Sequence, residues 1–171
     1  MLYIFDLDGT TVDSSHRLGR GSLESWKRNN TPENVAKDGL LPLAELVRLV
    51  NEKRPNDMTV VCTSRVMGVA DYEFVTEKLN PVGILCRKDG DERPCGELKR
   101  DLLEKFGKNI FNWTWEELTR NAVMWDDSDE GKILAIVGLA LLCLQAWAKS
   151  CYNLVILNIT GIGGYIYALY F

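Results

Sequence analysis

Three short apolar runs in this chain each stop at polar residues capable of chemistry. Leu2–Leu7 carries Asp6 and gives way to Asp8, Met58–Cys62 to Thr63, and Ala122–Trp125 to Asp126 and Asp127. Bounded apolar runs of this kind suit buried strands, and Val82–Cys86 is another. Between them lie segments of helical character: Ser22–Arg28, Pro42–Lys53 with Pro42 at a first turn, and Glu97–Phe106. A further helix starts at Thr114, because Thr114-x-x-Glu117 is a capping-box pattern. Strands alternating with helices predict an α/β fold with a parallel sheet covered on both faces. Such sheets bind ligands at the carboxyl ends of their strands. The polar run-outs converge there.

A chain of 171 residues suits one domain, and 46% hydrophobic with 26% charged residues is the composition of a globular protein. The net charge of -4 argues against coating nucleic acid nonspecifically, but not against gripping one end through a local basic patch. Cysteines 62, 86, 95, 143 and 151 form no CxxC pair, and there is a single histidine, so neither a zinc site nor a disulfide framework is expected. Reduced thiols and an N-terminus that turns acidic at Asp6, too early for a signal peptide, predict a cytoplasmic protein. No stable protein partner is implied.

The expected domain covers 1–148, followed by an apolar tail over 149–171. The uncharged stretch Ile133–Trp147 lies across a predicted helix (Gly131–Val137) and a fifth strand (Ala140–Gln145). Leu154–Phe171, also uncharged, is near the lower length limit for a bilayer span. Its polar interruptions favour a tail packed on the sheet or partly disordered over a membrane anchor. Gly161-Ile162-Gly163-Gly164 is no phosphate loop, since no Lys-Ser/Thr follows.

Asp6-Leu7-Asp8-Gly9-Thr10 is the most informative segment. Strand alternation predicts the carboxylates of Asp6 and Asp8 on one side, with Leu7 in the core. Gly9 permits a sharp turn and close approach of a phosphate to the backbone. Asp6, Asp8, Asp126 and Asp127 offer the oxygen ligands that Mg2+ prefers. A carboxylate attacking a phosphate dianion needs that charge neutralised, so a metal and nearby cations are expected at the same place. In this reading Asp6 forms an aspartyl-phosphate, while Asp8 protonates the leaving oxygen and then deprotonates water.

DLDGT at 6–10, Thr63 closing an apolar strand, Lys99, and Asp126-Asp127 after AVMW resemble, in order, the four motifs of the haloacid dehalogenase (HAD) superfamily. The resemblance implies a three-layer Rossmann-like sheet, a Mg2+-dependent aspartyl-phosphate mechanism, Asp6 as nucleophile and Asp8 as acid/base. It also implies Thr63 and Lys99 on the phosphoryl group, with Asp126 and Asp127 on the metal. Asp8 favours phosphatase or phosphomutase chemistry, because dehalogenase-type relatives lack an acid there. Little chain lies between Thr10 and Met58, so at most a minimal cap is expected, and an open site can admit a macromolecular end.

The chain also resembles the 3′-phosphatase domains of bacteriophage polynucleotide kinase–phosphatases. Arg17, Thr63-Ser64-Arg65, and the run from Arg87 through Gly90-Asp91-Glu92-Arg93 to Lys99 match their spacing. This implies a substrate phosphate bound by Gly9, Thr10, Arg17, Ser64, Arg65, Arg87 and Arg93, since arginine forks suit phosphate oxygens. The expected substrate is a nucleic acid 3′ end. The alternative is a small-molecule phosphatase such as a nucleotidase, and a third class is a phosphate-binding or membrane-associated relative. No P-loop is present, so no kinase activity is implied. His16 is expected to be incidental, and Trp113, Trp115 and Trp125 to pack in the core.

Overall fold

In the computed structural model, which describes residues 1–17, 23–127, 140, 143–145, 147–149 and 152–170, β1 (Leu2–Phe5) lies inside a parallel sheet. Its partners are β4 (Met58–Val66) on one side and β6 (Ala122–Trp125) on the other, and β5 (Gly83–Arg87) lies beyond β4. The order is β5-β4-β1-β6, with Phe5 opposite both Val61 and Trp125. Chain order advances from β1 outward to β5 and then returns past β1 to β6. That reversal makes the carboxyl ends of β1 and β6 a topological switch point, the place where open α/β sheets bind ligands.

Alternation along the strands builds two cores. Phe5, Leu7 and Val61 face Ala44 and Val47 of α3 (Pro42–Lys53) and Val75 and Leu79 of α4 (Val69–Leu79). Leu2, Ile4, Val60 and Cys62 face Leu103 of α5 (Cys95–Phe111) and Leu118 of α6 (Trp115–Asn121). The sheet is therefore covered on both faces, as expected. Trp113 and Trp115 pack against the second cluster, and Trp125 stacks 4.8 Å from Phe5. The core reading of the tryptophans holds.

Helix ends follow their capping chemistry. Pro42 starts α3, and Thr114 caps α6 while the Glu117 carboxylate accepts the Thr114 N–H at 2.8 Å. α5 is longer than the expected Glu97–Phe106 and ends at Asn112, which adopts φ 56. Gly107 inside it lets Leu118 approach to 3.3 Å of where a Cβ would stand. β4 runs on to Val66 through a register shift between Cys62 and Val66, so Thr63, Ser64 and Arg65 lie within the strand rather than past its end.

Between β1 and α3 a small antiparallel hairpin forms from β2 (Val12–Asp13) and β3 (Gly39–Leu40). It frames an insertion with a 3-10 turn (Ser15–Arg17), α1 (Leu23–Asn29) and α2 (Pro32–Val35).

The chain divides into two compact units, 1–125 and 126–171. In the second, the expected apolar tail contains α7 (Tyr152–Tyr170). No helix among the described residues is long and apolar enough to cross a membrane. Residues 140 and 143–145, expected in a fifth strand, are helical; Ala, Leu and Gln favour helix where no periodic alternation opposes it. The predicted helix Gly131–Val137 lies outside the described residues.

Candidate active site

The turn after β1 sets the site. Gly9 adopts φ 74 and donates its N–H to the Val12 carbonyl at 2.9 Å, a conformation that suits glycine. Thr11 closes the turn by donating its hydroxyl to the Asp6 carbonyl at 2.9 Å. Thr10 is buried, and its Oγ1 has no hydrogen-bond partner among the described residues. An unmet hydroxyl beside this turn is available to a ligand oxygen.

Asp6 is buried at the carboxyl end of β1, with the Lys99 ammonium of α5 3.1 Å from its Oδ1. The Asp6 N–H donates to the Trp125 carbonyl at 2.8 Å, and that carbonyl belongs to the peptide bond joining Trp125 to Asp126. Asp126 and Asp127 thus follow the strand whose end pairs with Asp6. Among the described residues, Asp6, Asp126 and Asp127 are the carboxylates that could hold a metal ion.

Asp8, expected with them as a metal ligand, falls outside that group. Arg65 Nε donates to its Oδ2 at 3.1 Å, and Arg65 Nη2 and the Ser14 hydroxyl both reach its Oδ1. Its oxygens are therefore engaged by hydrogen-bond donors, while its side chain remains 36% exposed.

The arginines expected on the substrate phosphate point mostly to protein carboxylates and carbonyls. Arg17 is wholly buried, donating to Asp38 Oδ2 at 2.5 Å, Asp71 Oδ1 at 3.2 Å and Asn30 Oδ1 at 2.8 Å. Arg65 also donates to Asp71 Oδ1, at 2.7 Å. Trp26 covers both guanidinium groups, 4.7 Å from that of Arg17 and 5.0 Å from that of Arg65. Arg87 is spent on the carbonyls of Ser64, Asp91 and Arg93 at 2.7–2.8 Å. Arg93 lies at the surface between Asp91 and Asp101 and holds the Asp91 carboxyl down to about 2. These side chains were expected to bind phosphate because their spacing fits that task. A carboxylate presents an arginine fork with the same geometry, and Arg17, Arg65 and Arg93 meet carboxylates here.

Charge in the buried cluster is balanced by proximity. Burial alone would raise the Asp71 carboxyl, but the Gly68 N–H, Asn30, Arg65 and Arg17 outweigh it and hold it below the usual range. Burial raises the Asp38 carboxyl despite the pull of Arg17, Arg65 and His16. Burial opposes the charge on Arg65, yet hydrogen bonding to Asp8, with Asp71 and Asp38 nearby, raises its pKa. His16 Nε2 sits 3.0 Å from the Asn34 carbonyl oxygen and 3.5 Å from Asp38 Oδ1, a place at the edge of this cluster.

Thr63 is buried, and its Oγ1 accepts the Arg65 N–H at 3.1 Å, fixing the strand where the arginine departs. Ser64 is half-buried beside it. Nothing in the local sequence points to Ser14, Trp26, Asn30 or Asp38. Asp71 alone carried a signal, as an acid in the first turn of a helix, and that feature ordinarily reads as capping.

Residues 1–80 match a protein family described as bacteriophage T5 5′-deoxynucleotidase. That segment contains Asp6, Asp8, the insertion and the whole buried cluster. A 5′-deoxynucleotidase of Escherichia phage T5 is 31% identical over 112 residues, an alignment covering 60% of this chain and 42% of that protein. The chain therefore spans less than half the length of the curated relative it matches. No solved structure matches the chain.

Proposed function

We propose that this chain is a phosphomonoester hydrolase that removes the 5′-phosphate of deoxynucleoside monophosphates through an aspartyl-phosphate on Asp6. The observation that carries the reading is the buried Asp6 carboxylate at the switch point of the sheet, with Lys99 3.1 Å away. The similarity to a phage 5′-deoxynucleotidase supports the nucleotide as substrate over a nucleic acid 3′ end. So does the burial of Arg17, Arg65 and Arg87, which leaves fewer cations for a polynucleotide end than spacing alone suggested. HAD-type chemistry is part of the proposal.

Asp6 attacks phosphorus, an Asp6 oxygen–phosphorus bond forms, and the bond to the 5′-oxygen breaks. Asp8 gives that oxygen its proton, so the nucleoside leaves as an alcohol. Asp8 then takes a proton from the water that attacks phosphorus, and the aspartyl bond breaks to release phosphate. Lys99 supplies positive charge beside the nucleophile, and the Thr10 hydroxyl is free to donate to a phosphoryl oxygen. Asp6, Asp126 and Asp127 form an all-oxygen donor set that fits Mg2+. A bound ion would supply charge neutralisation on the phosphoryl oxygens.

Phosphate release from deoxynucleoside 5′-monophosphates, compared with release from a 3′-phosphorylated oligonucleotide, tests the reading. Wild type with Mg2+ is expected to prefer the mononucleotides by kcat/KM. Asp6→Asn and Asp8→Asn are each expected to lose at least about 100-fold in kcat. Preference for the oligonucleotide would restore the end-healing reading. Undiminished turnover by Asp6→Asn would remove the covalent mechanism.

A further inference from the structure

Arg65 was expected to hold substrate phosphate, yet its guanidinium has no free edge. Nε and Nη2 reach the two oxygens of Asp8, Nη1 reaches Asp71 at 2.7 Å, and Trp26 covers the face at 5.0 Å. Only 1% of its side chain is exposed, whereas the Asp8 side chain is 36% exposed. The arginine thus sits behind the carboxylate, on the side away from solvent.

Asp71 is equally committed. Its Oδ1 accepts from Arg65 and Arg17, and its Oδ2 from Asn30 and the Gly68 N–H, both at 2.9 Å. With Arg17 and Arg65 facing Asp38 and Asp71, the interior charges cancel, and Asp8 is the outward carboxylate of a closed assembly. With every guanidinium nitrogen of Arg65 and both oxygens of Asp71 hydrogen-bonded, this part of the network resists rearrangement.

We propose that Arg65 is a positioning residue that holds Asp8 for proton transfer, and that Asp71 anchors Arg65. The insertion between β2 and β3 supplies Ser14, Arg17, Trp26, Asn30 and Asp38 to this assembly. It is therefore the wall behind the acid rather than a lid over substrate. The inference rests on the phosphatase reading above.

A leaving group that needs no proton separates positioning from phosphate binding. The kcat/KM of wild type, Arg65→Lys, Asp71→Asn and Asp8→Asn is measured on a deoxynucleoside 5′-monophosphate and on 4-nitrophenyl phosphate, whose phenolate leaves unaided. Because kcat/KM covers steps only to leaving-group departure, loss of a poised acid falls on the nucleotide. The ratio of the two values is expected to shift toward 4-nitrophenyl phosphate by about 100-fold in Asp8→Asn and at least about 10-fold in Arg65→Lys and Asp71→Asn. A structural loss of active protein lowers both substrates equally and leaves the ratio unmoved. Equal losses, or no loss, in Arg65→Lys would overturn the proposal. If circular dichroism shows that Arg65→Lys is unfolded, the ratio in Asp71→Asn decides in the same way. Wild type inactive on both substrates would overturn the phosphatase reading itself, a result distinct from any change of ratio among active variants.

Discussion

Lys99 Nζ and Asp6 Oδ1 lie 3.1 Å apart, both residues almost wholly buried, although one comes from α5 and the other from the end of β1. A cation fixed beside the proposed nucleophile can act on phosphoryl charge without reorganising during the reaction. Lys99→Met should lower kcat by about 100-fold or more, the usual cost of one preorganised electrostatic group. Lys99→Arg should recover part of the loss, because charge returns but the compact ammonium geometry does not. Steady-state kinetics on a deoxynucleoside 5′-monophosphate checks both.

Removing one partner from the buried cluster leaves the other charges uncompensated. Asp38→Ala abandons the Arg17 fork at its 2.5 Å contact, and both side chains are wholly inside. A loss of about 3–5 kcal/mol is expected, the range for breaking one side of a buried ion pair. Urea unfolding measures it, and a change below 1 kcal/mol (roughly the scale of a surface pair) would mean that the pair is hydrated.

Asp71 makes a pH prediction with a definite sign. Its carboxyl is held below the ordinary value of 3.8 in the fold, so the unfolded chain takes up a proton first as pH falls. Its contribution is present above that value and is lost on descending through the folded pKa. Asp71→Asn should therefore be less stable than wild type at neutral pH, with the gap narrowing below the unfolded value. Unfolding midpoints between neutral and acid pH test this, and a gap that widens on acidification would refute it.

The cap of α6 offers a control away from the site. The Thr114 hydroxyl accepts the Glu117 N–H at 3.2 Å, and the Glu117 carboxylate returns to the Thr114 N–H. Thr114→Ala should cost about 1 kcal/mol by chemical denaturation. Phosphate release should be untouched.

Local pattern was enough for the four strands of the main sheet and for α1, α3, α5 and α6, but not for the hairpin of β2 and β3 or for α2 and α4. Apolar runs ending in acid announced β1 and β6, Pro42 and Thr114 marked helix starts, and the placing of Asp6 and Asp126 at carboxyl strand ends followed. The uncharged stretch over 133–147 misled, because an apolar run without alternation carries no period to separate strand from helix. Burial periodicity is a local property, and a sequence displays it directly.

Only the tertiary structure decided what each arginine holds. Arg17 meets Asp71 from a distance of 54 positions along the chain, and Arg65 meets Asp8 from 57. Spacing proposes a cation near a phosphate, but a guanidinium fork fits a carboxylate equally well. The choice falls to whichever anion the folded chain brings within reach, and the sheet and its insertion brought carboxylates.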